Sequence, residues 1–228
     1  MGEFKQLTAS DGHTLSAYQA SPAGEPIGAV VLIQEIFGLN KDIRGLADDF
    51  AKEGYLVLAP ATMDRIERGV ELGYEGDDLK RAFEFYGKLS VDTAILDVAA
   101  AYKELEKAGK GIAIVGYCYG GLMSWLSATR GENVEMQPSC CVGYYAGGIG
   151  NVATEEPSCP VMLHFGEADD HIGSDQINAV RNAHPEVEIF LYEGAGHAFS
   201  NPGRKSFVPA AAKLAGERTL EFLKNNVA

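Results

Sequence analysis

The stretch IAIVGYCYGGLM, residues 112–123, combines a buried strand, a tight turn and the start of a helix. Its first half is a short apolar run, which is typical of a strand covered on both faces. Gly116 and Gly120 flank Cys118 in a Gly-x-Cys-x-Gly pattern, the pattern of a nucleophile elbow. Glycines are needed there because the strained turn leaves little room for side chains beside the strand and the helix. The stretch therefore predicts that Cys118 lies at the carboxyl edge of a sheet.

Apolar runs and helical patterns alternate along the rest of the chain. A turn signal at residues 10–12 separates two strand-like segments and predicts a hairpin. We expect eight strands, at about residues 4–9, 13–20, 29–34, 55–60, 111–116, 139–145, 160–166 and 187–193. We expect helices at about residues 41–53, 77–89, 92–108, 119–129, 174–183 and 206–225, and a long loop at 61–76. The alternation predicts a single α/β domain over residues 1–228, with a mostly parallel sheet and helices on both faces.

The composition argues against several kinds of partner. The chain has 19 Lys and Arg against 32 Asp and Glu, a net charge of −13, whereas nucleic acids and anionic membranes require a basic surface. No apolar run reaches membrane-spanning length, and the first residues do not resemble a secretory signal. We therefore expect a cytoplasmic protein, and a monomer. Cys140, Cys141 and Cys159 lack C-x-x-C spacing and are interpreted as small buried hydrophobic residues.

An acid and a histidine follow Cys118 in an order that suits nucleophilic catalysis. Asp169 comes just after the seventh predicted strand, and the neighbouring Asp170 is the alternative. His197 lies in a Gly-rich loop just after the eighth, where nothing indicates a core position. The order nucleophile, acid, histidine is that of the α/β-hydrolase fold. Because a helix begins after Cys118, its N-terminus would favour a thiolate and leave the N–H of Tyr119 free for an oxyanion.

The motifs around these residues resemble those of the dienelactone hydrolase family, α/β-hydrolases with a cysteine nucleophile. The resemblance covers almost the whole chain and rests on QEIFGLN (34–40), LAP (58–60), GYCYGG (116–121), VGYY (142–145), GEADDHI (166–172) and GHAFSNPGRKSF (196–207). It implies hydrolysis of a small-molecule ester or lactone, without a metal or another cofactor. It further implies a site made of the triad Cys118, His197 and Asp169, the facing acid Glu35, and the oxyanion-hole N–H groups of Ile36 and Tyr119.

The family's reference substrate is a small lactone with a carboxylate, so the resemblance implies a cation near the mouth of the site. The best-known members have an arginine four residues after the catalytic histidine, but Asn201 stands there in this chain. Arg204 matches a broader family pattern, Asn-x-x-Arg, and is the expected carboxylate ligand. Arg81 or Lys80 would supply a second cation, unless both lie on a solvated helix face. Tyr144 is expected either to place its hydroxyl at the pocket wall or to fill space.

Glu35 is an unusual choice between an apolar strand and the apolar pair that follows it. Burying a carboxylate there is costly unless the group is hydrogen-bonded or protonated. One hypothesis is that backbone N–H groups of the loop satisfy Glu35. The other is that Glu35 shares the pocket with Cys118 and controls its proton, since a carboxylate beside a thiol disfavours the thiolate.

Three functions are compatible with a cysteine elbow. A thiol hydrolase would use Cys118, Asp169 and His197 together and form an acyl-enzyme. A redox-active thiol protein on the same scaffold would need a resolving cysteine, for which Cys140 or Cys141 is a candidate, and would leave the acid and the histidine unexplained. A non-catalytic binding protein would be expected to lack a triad member, and all three are present. The residues therefore favour the hydrolase.

Overall fold

The computed structural model describes residues 2–227, and its centre is an eight-stranded sheet. The strands are β1 (Glu3–Thr8), β2 (Thr14–Ala20), β3 (Gly28–Ile33), β4 (Tyr55–Pro60), β5 (Ile112–Tyr117), β6 (Cys140–Tyr144), β7 (Val161–Gly166) and β8 (Glu188–Tyr192). Their order across the sheet is β1-β2-β4-β3-β5-β6-β7-β8. The β1–β2 hairpin and the β2–β4 pair are antiparallel, whereas every pair from β4 to β8 is parallel. The single sheet supports the prediction of one domain, which stays a prediction.

Helices cover both faces of this sheet. Within the described residues they are α1 (Lys41–Lys52), α2 (Gly76–Tyr86), α3 (Val91–Glu106), α4 (Tyr119–Arg130), α5 (Ser174–Ala183) and α6 (Pro209–Val227). α1 and α6 share one face, and α3 and α4 pack together on the other. Every residue of β3, β5, β6 and β7 is buried, which accounts for their continuous apolar runs. No helix within residues 2–227 is long and apolar enough to span a bilayer.

The segment predicted as a loop, residues 61–76, contains more structure than expected. A 3₁₀ turn covers Thr62–Arg65, and Glu71 forms an isolated antiparallel bridge with Gly38. This bridge ties the segment to the loop that follows β3. The bridge depends on a partner that is distant in sequence, so no local sequence pattern predicts it.

α6 begins at Pro209 rather than near residue 206. Proline suits the first helical position because it needs no hydrogen-bond acceptor there and its φ is already helical. The residues before it form turns instead, in which the N–H of Arg204 donates to the carbonyl of Asn201 (3.0 Å). The loop between β8 and α6 is therefore longer than predicted.

The carboxyl ends of the parallel strands meet at one edge of the sheet. The loops after β3, β5, β7 and β8 leave the sheet there and carry Glu35, Cys118, Asp169 and His197 respectively. Ligands of open parallel sheets bind at this edge. The fold therefore brings residues far apart in sequence to one place.

Candidate active site

Cys118 lies at the tip of the turn between β5 and α4, in a strained backbone conformation. Its φ is 57° and its ψ −116°, and a positive φ is uncommon for any residue other than glycine. A Cβ atom on Gly116 would lie 1.8 Å from the carbonyl oxygen of Gly120, and one on Gly120 would lie 2.3 Å from that of Ile33. Both glycines are therefore required by the close approach of β3, β5 and α4. Tyr119 is the first residue of α4, so its N–H has no acceptor within the helix.

Three side chains from separate loops form a hydrogen-bonded chain. Nε2 of His197 lies 3.2 Å from Sγ of Cys118, and Nδ1 lies 2.9 Å from Oδ2 of Asp169. The other carboxylate oxygen, Oδ1, accepts the backbone N–H groups of His171 (2.9 Å) and Ile172 (3.2 Å). The structure therefore brings the three predicted triad residues into contact and holds the carboxylate on both of its oxygens.

Asp170, the alternative acid, points away from this chain. Its side chain is 87% exposed, whereas that of Asp169 is fully buried. Its Oδ1 lies 3.6 Å from Nε2 of His171, outside hydrogen-bonding distance. The contact with His197 thus belongs to Asp169.

These contacts shift two pKa values in opposite directions. Burial alone would raise the pKa of Asp169, but the hydrogen bond to His197 and the two N–H donors hold it below its usual value. Burial alone would lower the pKa of His197, but its contacts with Asp169 and Cys118 raise it to about 10. An imidazolium is therefore favoured beside Cys118, and its charge would stabilise a thiolate.

A cavity of about 250 Å³ opens beside Cys118. Most of its wall is apolar, and its polar side chains include Cys118, His171, His197 and Arg204. Drug-sized ligands occupy cavities of about 300–1,000 Å³, so this one suits a small molecule. Another cavity of about 180 Å³, between α1 and α6, contains none of these groups. Within residues 2–227, no group of three or more His, Cys, Asp or Glu side chains could hold a metal ion.

α2 forms one apolar wall of the cavity through Leu79, Phe83 and Tyr86. These residues follow the i, i+4, i+7 spacing of a single helix face. Phe83 is 54% exposed and Tyr86 41% exposed, so the wall is open toward solvent on the side of the mouth. Sequence reasoning missed these three residues, although their spacing was visible in the predicted helix.

Arg81 and Lys80 do not line the cavity, so the prediction that Arg81 binds substrate is wrong. Lys80 and Arg81 are one and two positions after Leu79, so their side chains point to other faces of α2. Arg81 forms an ion pair with Glu67, and Lys80 forms one with Asp77 at 2.9 Å. Both belong to the solvated helix face that was the alternative expectation.

Arg204 is the arginine that lines the cavity. Its guanidinium lies 5.1 Å from the ring centroids of both Phe37 and Tyr74, which orient it by cation–π contact. No carboxylate within residues 2–227 forms an ion pair with it at 4.0 Å or less. A ligand carboxylate would therefore meet a guanidinium that is not already held in an ion pair.

Glu35 is buried, with 1% of its surface exposed. Its Oε2 accepts a hydrogen bond from Nδ2 of Asn201 (2.8 Å), rather than from a loop N–H, and the Cys118 thiol contacts His197 instead. Within residues 2–227, Oε1 of Glu35 has no hydrogen-bond partner. Burial raises the pKa of Glu35, although Arg204 and Asn201 act in the opposite direction. Burial at this position therefore shifts Glu35 toward its neutral form.

Tyr144 does not reach the cavity, so its expected place at the pocket wall is wrong. It is 2% exposed, and its hydroxyl hydrogen-bonds to Oγ1 of Thr219 (2.6 Å) inside the core. The next residue, Tyr145, has a φ of 37° and turns its ring edge-on to His197, with 5.1 Å between ring centroids. Its hydroxyl pairs with Oγ of Ser200 (3.0 Å). The chain therefore turns Tyr145, the residue after β6, toward His197 and keeps Tyr144 in the core.

The cysteines proposed to resolve a redox-active Cys118 lie far from it. In the parallel pairing of β5 with β6, Cys140 and Cys141 stand opposite Ala113 and Ile114. Cys118 lies four to five residues further along, which corresponds to about 13–16 Å at about 3.3 Å per residue. Neither thiol can reach Cys118 without unfolding the sheet, so a redox-active Cys118 would have no resolving cysteine at Cys140 or Cys141.

Comparison with known proteins agrees with this geometry. The model of the dienelactone hydrolase family matches residues 15–227. The carboxymethylenebutenolidase of Pseudomonas putida is 30% identical over 222 residues, covering 93% of this chain and 92% of that protein. The carboxymethylenebutenolidase of Pseudomonas sp. strain P51 is 31% identical over 235 residues, covering 97% and 94%.

A solved structure shows the same fold. A protein from Klebsiella pneumoniae, provisionally assigned as a dienelactone hydrolase, superposes with a TM-score of 0.79 at 26% identity, covering 97% of this chain and 98% of that one. The predictions of fold class, family and hydrolase activity are therefore confirmed. The chain belongs to the dienelactone hydrolase family, whose members are hydrolases acting on ester or lactone bonds.

Proposed function

We propose that the protein hydrolyses a small ester or lactone through a thioester at Cys118. The observation that carries this proposal is the continuous contact from Cys118 through His197 to Asp169 beside a small cavity. In this arrangement the histidine can exchange protons with the thiol and with a leaving group, while the acid fixes its tautomer.

The reaction proceeds in two halves. The thiolate of Cys118 attacks the carbonyl carbon, and the C–O bond to the leaving oxygen breaks as that oxygen takes the proton from Nε2 of His197. In a lactone the alcohol stays attached to the acyl group. Water then attacks the thioester, His197 accepts its proton, and the departing sulfur leaves as the thiolate again beside the imidazolium. Asp169 holds the Nδ1 proton throughout and does not take it.

The oxyanion of each tetrahedral intermediate is proposed to accept hydrogen bonds from the backbone N–H groups of Ile36 and Tyr119. Support comes from their places: both residues line the cavity, and Tyr119 opens α4. Donors that are fixed before the reaction typically contribute about 10²–10³ in rate each. The helix N-terminus adds a partial positive charge on the same side.

The preferred substrate is proposed to carry a carboxylate that Arg204 binds through paired hydrogen bonds. Support comes from its stacked position at the cavity and from the apolar wall of α2 facing it. With Asn201 in place of an arginine and Arg81 paired elsewhere, one guanidinium lines the cavity among the described residues. Selection for acidic substrates would then rest on Arg204.

The test is a panel of small lactones and aryl esters, each with and without a carboxylate, assayed before and after alkylation of the protein. We expect turnover, loss of turnover on alkylation of Cys118, and a mass increase equal to the acyl group when the reaction is quenched. The variant Cys140→Ser is the control thiol and should keep full activity. Hydrolysis that survives complete alkylation of Cys118 would contradict the proposal.

We also infer that the protein works as a monomer in the cytoplasm. Apart from Phe83 and Tyr86 at the cavity, its exposed large apolar side chains, such as Phe4 on β1 and Leu214 on α6, lie on separate elements. Its four cysteines are free, which suits a reducing compartment. Light scattering coupled to size exclusion measures the first point, and fractionation of the producing cells measures the second.

A further inference from the structure

Cys141 and Cys159 lie together at the amino-terminal ends of β6 and β7, at the sheet edge opposite Cys118. Their Sγ atoms are 3.8 Å apart. The N–H of Cys141 donates to the carbonyl of Pro160 (3.0 Å), the residue after Cys159, so the two main chains are adjacent. The proposed hydrolytic reaction uses neither thiol.

The two thiols differ in access and in acidity. Cys141 is fully buried, whereas Cys159 is half-buried. The contact with the Cys141 sulfur lowers the pKa of Cys159, although burial opposes this, while burial raises the pKa of Cys141. Cys159 is therefore the group that ionises first, and it is also the group that a small oxidant can reach. Cys141 beside it is a protected thiol.

We propose that Cys159 and Cys141 form a site of reversible oxidation that takes hydrogen peroxide or a small organic hydroperoxide and closes to a disulfide in the folded protein. The Cys159 thiolate attacks one peroxide oxygen, the O–O bond breaks, and protonation releases water or an alcohol and leaves a sulfenic acid. The Cys141 sulfur then attacks the Cys159 sulfur, the S–O bond breaks, and the hydroxide leaves with the Cys141 proton as water. Two thiols are oxidised by two electrons, and one peroxide is reduced.

The two sulfurs must approach each other before the bond can close. A disulfide needs an S–S distance of about 2.05 Å, so the sulfurs must approach by roughly 1.8 Å. Cys159 lies just before β7, outside the regular strand, so rotation of its side chain can supply this movement. Cys140 is not an equivalent partner, because successive residues of a strand point to opposite faces of the sheet.

The test maps thiols after peroxide treatment. The background variant is Cys118→Ser, so that oxidation of the proposed catalytic thiol adds no mass, and the wild-type protein is mapped in parallel in case that variant folds poorly. Cleavage after Glu155 separates Cys141 from Cys159, whereas no Lys or Arg lies between them. Without reductant, we expect the protein to become lighter by two hydrogen atoms, and the Cys141 and Cys159 peptides to remain linked until dithiothreitol is added.

The matched variants decide the assignment. Cys141→Ser and Cys159→Ser should each abolish the link, and Cys140→Ser should keep it. The bridge closes over a sequence separation of 18 residues, for which the melting temperature should rise by about 6–12 °C and return on reduction. A link between Cys140 and Cys159, sulfinic acid at Cys159 with no link, an absence of oxidation at both thiols, or a lower melting temperature on linking would each overturn the proposal.

Discussion

Replacing Asp169 by Asn is the sharpest test of the triad, because the chain supplies its own control one residue later. The change removes a charge but keeps the size of a side chain that is fully buried. An amide can present an N–H to Nδ1 of His197 instead of accepting one, which favours the wrong tautomer. Asp170→Asn removes a charge from a side chain that is 87% exposed, and its Oδ1 lies 3.6 Å from Nε2 of His171.

The size of the effect follows from the pKa of His197. A rise from the ordinary value of 6.5 to about 10 corresponds to roughly 5 kcal/mol of stabilisation of the imidazolium. Asp169 and Cys118 supply this stabilisation against the cost of burial. Asp169 is the first of these two contributors, so its loss makes the imidazolium beside Cys118 less favourable. Turnover should fall further, by about 10³–10⁴, because the tautomer is also wrong.

Two measurements separate these effects. The rate of alkylation of Cys118 by iodoacetamide, followed against pH, reports the thiolate. In Asp169→Asn the rate at neutral pH should fall, because a less stable imidazolium holds a thiolate less well. Asp170→Asn should leave the alkylation rate and turnover within about 3-fold of the wild type. An equal loss in both variants, or an unchanged alkylation rate in Asp169→Asn, would refute this reasoning.

Three further results are expected. Arg204→Ala should raise KM for a carboxylate-bearing lactone by about 10-fold or more and leave KM for a neutral ester nearly unchanged. The control Arg81→Ala should change neither KM. Equal effects of Arg204→Ala on both substrates would indicate a structural arginine. Glu35→Gln should leave the alkylation rate of Cys118 at neutral pH within about 2-fold of the wild-type rate, because an amide resembles a neutral acid. A large acceleration would instead show that an ionised Glu35 disfavours the thiolate. Cys118→Ala should lower ester turnover by about 10³-fold or more in a colorimetric assay, and retention of activity would exclude the thioester.

The elbow and the order of its partners were predictable because each depends on local backbone demands. A cysteine between glycines at the junction of a buried strand and a helix has few alternatives, since a Cβ on Gly116 would collide with the backbone at Gly120. His197 and Asp169 lie directly after buried strands, and parallel strands carry such residues to the same edge. The alternation of strands and helices therefore contained most of the information about the site.

The partners of the side chains around that edge were less accessible to sequence reasoning. Whether Arg81 faces the cavity depends on the rotation of α2, and an error of one position changes the direction by about 100°. The apolar face formed by Leu79, Phe83 and Tyr86 would have predicted that rotation, because the apolar face of a helix turns toward the rest of the protein. Tyr144 differs for another reason: the positive φ of Tyr145 places the following ring, not that of Tyr144, beside His197. No periodicity predicts such a change at the last residue of a strand.

Asn201 links these local details to the chemistry of the thiol. Its Oδ1 accepts the N–H of Gly203 (2.9 Å), and its two N–H groups point to Oε2 of Glu35 (2.8 Å) and to the hydroxyl of Tyr74 (3.0 Å). It can therefore only donate to Glu35, and it brings no charge, whereas an arginine at this position would compensate a buried carboxylate. Burial then shifts Glu35 toward its neutral form, and its Oε1 has no hydrogen-bond partner within residues 2–227.

A neutral Glu35 has a direct consequence for Cys118. A carboxylate near the thiol would oppose ionisation, but a neutral acid leaves the imidazolium of His197 as the nearest strong charge on the sulfur. The hydrogen bond between Sγ of Cys118 and Nε2 of His197 (3.2 Å) joins the nucleophile to its base before substrate binds, without any movement of Glu35. The alkylation rate of Cys118 in Glu35→Gln therefore reports whether a charge on Glu35 acts on the thiol.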